Sequence, residues 1–196
     1  MAKIKARHNG TKKDAIIQSA AALFRNKGFK ASSMRELGEE IGVEAPSLYN
    51  HIGSKSELLQ DICFKIAHDF TQNLQLVEQS GEPVISKIEQ LIRFHIRIML
   101  DQYDEVYVAN HEWKHLEEPF LTDFLNQRKF YEKRMTQLVK DGITKKELKN
   151  IHPHVAVLTI LSAVRGIEFW QRHKNAISAK ELEENMVDHL LNGLTI

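Results

Sequence analysis

Residues 111–115 read His-Glu-Trp-Lys-His. On a helix, two histidines four apart share one face and can hold a zinc ion, with the glutamate between them as general base. This His-Glu-x-x-His pattern is the signature of a zinc-dependent hydrolase, the alternative reading of the chain. No third ligand stands at a recognisable spacing, although His95 and Glu132 can be proposed. Ten histidines also make a chance match easy. The expectation is therefore no catalytic residue, no metal and no cofactor. The same stretch lies among other polar-tipped side chains. His95, Tyr103, Tyr107, Asn110, His111, Trp113, Arg128 and Tyr131 make the mixture a small-molecule pocket needs: apolar walls with a few convergent polar groups.

A second set of residues points to a different partner. Ala45, Pro46, Ser47, Tyr49, Asn50 and His51 are small or polar and follow Gly42-Val43-Glu44, while Ser33 and Arg35 stand just before. Two short helices joined by a tight glycine-containing turn make a helix-turn-helix. The second helix enters the DNA major groove, so its outer face cannot be apolar. Leu48 then packs back on Leu37 and Ile41. Arg35 has the side chain that pairs with a guanine edge through two bonds, and Tyr49, His51 and Lys55 have the reach for phosphates.

The elements that must position these residues are helices, and their ends are legible. Thr11 and Asp14 start the first, and Gly28 closes it, with Phe29 free to fold back onto the last turn. Ser33-Met34-Arg35-Glu36 is a capping box opening a short helix to Gly42. Pro46 suits only a first helical turn. Ser54-Lys55-Ser56-Glu57 opens a long helix that stops at Gly81 and Pro83. Further helices are expected over 84–100, 104–116, from Pro119 to about Lys140 with Gly142 as the stop, from Pro153 to about Arg172, and from a third box at Ser178-Ala179-Lys180-Glu181 to Gly193. The fold expected is all-α, about nine helices. Residues 1–54 form a basic arm and a helix-turn-helix domain, and residues 55–196 an effector-binding and dimerisation domain.

Charge divides the chain at nearly the same place. The formal net charge is only +1, yet residues 1–35 hold nine Lys or Arg against the single acid Asp14. The rest holds 18 bases and 25 acids. A basic head suits a polyanion, and an acidic body discourages the wrong face from lying on it. The arm over residues 1–13 either adds phosphate contacts or is solvated. No apolar run is long enough to cross a bilayer, so no membrane partner is expected. The lone Cys63 excludes an intramolecular disulfide framework and fits a reducing, cytoplasmic setting.

Ala20-Ala21-Ala22-Leu23-Phe24, Gly28-Phe29, Ser32 to Leu37, Gly42-Val43, Pro46 to Ile52 and Ser54 to Leu59 together resemble the DNA-binding domain of TetR-family transcriptional regulators. The resemblance covers roughly residues 12–62. It implies a three-helix DNA-binding head, a larger helical body that binds a small-molecule effector, a homodimer, and a palindromic double-stranded DNA operator, most often under repression. By this resemblance Ser33, Arg35, Ala45, Pro46, Ser47, Tyr49, His51 and Lys55 fall at DNA-touching positions, Tyr49 and Lys55 on phosphates. The family pattern usually has an aromatic where Ile52 stands, so ring packing is lost there. The segment from Asn110 to Leu116, with Arg128 and Tyr131, is weakly similar to members that respond to acyl-CoA thioesters.

The last two helices carry stripes suited to a second copy of the chain: Leu158, Ser162, Arg165, Gly166, Phe169 and Trp170, then Met186, His189 and Leu190. Two helices from each copy form a four-helix, two-fold interface, with Ser162 and Gly166 permitting close approach.

Overall fold

The computed structural model describes residues 12–43, 48, 52–170 and 177–195. In chain order the α-helices are α1 (Lys12–Lys27), α2 (Met34–Ile41), α3 (Lys55–Gln79), α4 (Val84–Asp101), α5 (Tyr103–His111), α6 (Phe120–Thr144), α7 (Pro153–Arg165), α8 (Ile167–Trp170) and α9 (Ala179–Asn192). A short 3-10 turn, Trp113–His115, follows α5. Among the described residues there is no strand. Two compact units result, one from Met1–Ala67 with Tyr103–Leu125, the other from His68–Gln102 with Asn126–Ile196. Compactness divides α3 after Ala67, not at the seam expected after residue 54, and groups α5 and the turn after it with the N-terminal helices.

In the first unit, α1 pairs most extensively with α5 and next with α2. On α1, Ile16, Ala20, Leu23 and Phe24, at three- and four-residue spacing, are buried. Leu37, Ile41, Leu48 and Ile52 are buried as well, at 1, 8, 1 and 2 % exposure. Ile52 thus fills an interior position without a ring. Each such aliphatic side chain contributes about 1.5–3 kcal/mol when taken from water. Cys63 is fully buried, as a packed thiol should be.

The expected capping boxes form, with one change, while Thr11 lies outside the described residues. Ser33 Oγ accepts from the Glu36 N–H, and Glu36 reaches back to the Ser33 N–H. Ser178 and Glu181 repeat the arrangement on α9. At α3, Ser54 Oγ accepts from the Glu57 N–H, but Glu57 reaches one residue further, to the Gly53 N–H at 2.8 Å. Gly28 and Gly42 end α1 and α2 at φ +84° and +78°, where a side chain would be strained.

In the second unit, α4 packs on α9 and α7. The helix stop expected at Gly142 is not there: α6 runs on to Thr144. Gly142 is a close-approach residue, since a Cβ on it would stand 2.7 Å from Leu148 Cδ1 and 2.9 Å from Val84 Cγ1. The helix expected from Pro153 to Arg172 breaks at Gly166 into α7 and α8. The start of α4 follows Pro83, which offers no capping side chain. Glu147, far along the chain, supplies the acceptor instead, taking the N–H groups of Val84 and Ile85. Across α4 and α9, Arg93 and Arg97 both bind Glu183, at 3.0 and 2.8 Å. The hydrogen bond from Arg97 is the main reason the Glu183 carboxyl is held below its usual range.

Candidate nucleic-acid interface and effector site

The head presents its bracing helix to solvent. Arg35 is 86 % exposed and lies 3.0 Å from Glu39, one helical turn on. That exposed pair is weak and leaves the guanidinium available. Ser33 caps α2, its Oγ also donating to Glu36. Ala45, Pro46, Ser47, Tyr49, Asn50 and His51 lie outside the described residues. Lys55 is described, and its ammonium points inward. Nζ donates to the Phe29 carbonyl at 2.9 Å and to the Ser32 carbonyl at 2.8 Å. It also stands 4.5 Å from the centre of the Phe29 ring.

Phe29 is the residue that composition and spacing under-described. Its ring meets Phe24 edge-on at 5.3 Å, which is the expected fold-back onto α1. Its other neighbours come from the His-Glu-Trp-Lys-His segment. His115 stacks on it at 5.6 Å, and Glu112 Oε2 accepts its N–H at 3.1 Å. Arg25 adds an ion pair with Asp104 and lies over the Tyr103 ring. The acceptor role of Glu112 had no signal in the sequence, because its partner is a backbone N–H.

This geometry corrects the zinc pattern. The five residues do not share one helix. α5 ends at His111, and His115 ends the 3-10 turn, so the four-residue spacing no longer puts both imidazoles on one face. Glu112 Oε2 accepts the Phe29 N–H and lies 3.5 Å from His115 Nε2, and the His115 ring stacks on Phe29, so both are engaged with this corner. Among the described residues no group of three or more His, Cys, Asp or Glu is set to hold a metal ion.

The eight expected effector residues are divided between the units. Tyr103, Tyr107, Asn110, His111 and Trp113 belong to the first. There Tyr103, Tyr107 and His111 form a ladder at four-residue spacing along α5, with ring centres 6.1 and 4.3 Å apart. His95, Arg128 and Tyr131 belong to the second. His95 Nε2 and the Tyr131 hydroxyl are 2.9 Å apart. Burial, with the Arg165 charge as a smaller cause, pushes the His95 imidazole down to about 3, so the ring is neutral. Burial likewise raises the Tyr131 phenol. Phe70 of α3 stacks on His95 at 4.4 Å. Beside this cluster, His68, Thr71, Asn126, Gln127 and Phe130 line an open groove of about 430 Å³. A spacing rule for polar aromatics could not find it, since a lone histidine, a threonine and two amides make up its polar lining.

The stripes assigned to a second copy differ from an ordinary core. Leu158 and Phe169 are 57 and 69 % exposed, and Val155 beside them is 54 % exposed. Ser162, Arg165 and His189 are exposed, and Gly166, Trp170, Met186 and Leu190 are partly so.

Residues 16–62 match the family described as bacterial regulatory proteins, tetR family, and residues 81–194 match the tetracyclin repressor-like C-terminal domain. The chain belongs to the TetR family. It is thus a transcriptional regulator with an N-terminal helix-turn-helix, not a hydrolase. Among curated relatives, it is 20 % identical over 190 residues to the HTH-type transcriptional repressor KstR2 of Mycolicibacterium smegmatis, covering 94 % of this chain and 91 % of that one. Two solved structures share the fold. The ketosteroid transcriptional regulator KstR2 of Mycobacterium tuberculosis superposes with a TM-score of 0.87 at 17 % identity, covering 99 % of this chain and 100 % of that one. AibR, solved in complex with isovaleryl coenzyme A and operator DNA, gives 0.80 at 21 % identity over 92 and 98 %. Among the described residues of this TetR-family chain, no helix is long and apolar enough to cross a membrane.

Proposed function

We propose that this TetR-family regulator is a repressor that binds a palindromic operator as a homodimer and releases it when a small acyl-CoA thioester binds the helical body. The observation that carries the reading is the joining, in one chain, of a helix-turn-helix match over 16–62 to a repressor-like body over 81–194. Ser33, Arg35, Ala45, Pro46, Ser47, Tyr49, Asn50 and His51 form the DNA face, with Arg35 free to seek a guanine edge. Val155, Leu158 and Phe169 support the dimer: exposed apolar side chains grouped near one another in sequence are what a second copy would cover. The effector class is supported by AibR, which shares the fold and was solved with isovaleryl coenzyme A. The His95–Tyr131 cluster, within the second unit, would line its site.

Selection of bound duplexes from a random pool tests the reading directly. The expected product is a two-fold symmetric site; no enrichment, or an unsymmetric site, overturns it. Isovaleryl coenzyme A, added to the complex with that duplex, should lower its affinity. The double variant Leu158→Glu, Phe169→Glu should sediment as a monomer where the wild type sediments as a dimer. A variant that still sediments as the dimer removes this face from the interface.

A further inference from the structure

One residue just past the end of α1 is held on both sides of its backbone by charged groups from distant parts of the chain. The Phe29 N–H donates to Glu112, and the Phe29 carbonyl accepts from Lys55, within the same compact unit. From this geometry we infer that Lys55 and Glu112 are positioning residues for DNA binding, and that Lys55 works from inside the head instead of neutralising a phosphate. The inference rests on the DNA-binding function proposed above.

Three observations support it. First, Lys55 opens α3, immediately after the segment that would enter the groove, and its second bond is to the Ser32 carbonyl. Ser32 directly precedes Ser33, the cap of α2. The lysine therefore ties the start of α3 to the start of the bracing helix, and the recognition segment lies between these two anchors in sequence. Second, moving the ammonium to a phosphate would strip both carbonyls of their charge-assisted donor and lift it from the Phe29 ring. Third, Phe29 follows Gly28, whose positive φ turns the chain away from α1, so the path of residues 29–33 depends on what holds it. Glu112 and the stacked His115 supply that hold from the turn after α5. The helix that carries Tyr103, Tyr107 and His111 thus reaches the head through a carboxylate on one backbone N–H.

The test uses the full chain and a duplex enriched from the random pool, with affinity measured across a range of salt and below the unfolding transition, where circular dichroism shows each variant folded. Glu112→Ala should weaken binding about tenfold, the effect of one lost charge-assisted hydrogen bond, and Lys55→Met, which loses two, by at least as much. Both should leave the salt slope at its wild-type value. Together they should cost less than the product of the two, because they act on one residue. Glu112→Gln keeps an acceptor and should recover most of the affinity. If Lys55→Met fails to fold, Lys55→Gln is judged by the same slope. A fall of about one unit in the slope on losing Lys55 is the signature of a phosphate contact and overturns the inference. So does wild-type affinity in folded Glu112→Ala. A wild type that binds no enriched duplex fails differently: the DNA-binding reading falls, and the inference with it.

Discussion

The corner at Phe29 and the cluster at His95 use nearly the same side chains to opposite ends. Each sets a histidine against a phenylalanine ring, His115 on Phe29 at 5.6 Å and His95 on Phe70 at 4.4 Å. At the corner the polar partners are ions, Glu112 and Lys55, and both hold backbone atoms. In the second unit the partner is a neutral phenol, Tyr131, 8 % exposed. Desolvation is the main cause lowering both imidazoles, helped by Arg165 at His95 and by Lys30, Lys114 and Lys55 at His115, where Glu112 opposes it. Ions near the surface set the direction of the chain at little cost in burial. A neutral pair away from water is part of the packing itself. The corner should therefore matter more for DNA binding than for stability, and the His95 cluster the reverse.

The largest effect that would break this contrast is on stability. Tyr131→Ala should destabilise the fold by about 3–5 kcal/mol, as truncation of a large buried ring does, with the midpoint of urea unfolding as the measure. Tyr131→Phe keeps the ring and leaves His95 without its hydroxyl, so it should cost about 1–3 kcal/mol. If Tyr131→Ala costs no more than Glu112→Ala, the two clusters are not distinct in kind.

Titration comes next. His95 is held at about 3 in the folded chain against an ordinary 6.5. Between these values the unfolded chain binds a proton that the folded chain does not. This contribution to stability is therefore full above pH 6.5 and is lost as the pH falls toward 3. The slope cannot exceed about 1.4 kcal/mol per pH unit, the limit for a single proton. Ring resonances of His95 should be flat between pH 7 and 4.5, while those of His115 should titrate at higher pH than His95. A His95 midpoint near 6.5 would erase the difference.

The smallest effect sharpens the contrast from outside. Arg35→Ala should change stability by less than about 0.5 kcal/mol, since its pair with Glu39 is exposed. It should nonetheless relax the base preference of the selected site if Arg35 reads a guanine. An unaltered preference profile would remove that role.

Much of this architecture is written locally. Ser33 with Glu36, and Ser178 with Glu181, close their boxes within four residues, so the start of each helix needs no distant partner. Gly28 and Gly42 likewise carry their reason in their own φ angles. The order of the helix-turn-helix residues is a short-range pattern, and it identified the family. Gly142 shows the limit. A glycine near the expected end of a helical stretch reads as a stop, but here its missing Cβ makes room for Leu148 and Val84. Similarly, the four-residue spacing of His111 and His115 means a shared face only if the helix continues, and it does not.

The sequence by itself determined the helical class, the capping boxes, the TetR family and the polar character of residues 45–51, because each depends on neighbours within a few turns. Only the tertiary structure decided where Lys55 and Glu112 point. Their partners are the backbone carbonyl and N–H of Phe29, 26 and 83 residues away. Backbone groups are the same at every position, so no residue pattern can mark which of them a distant charge will hold.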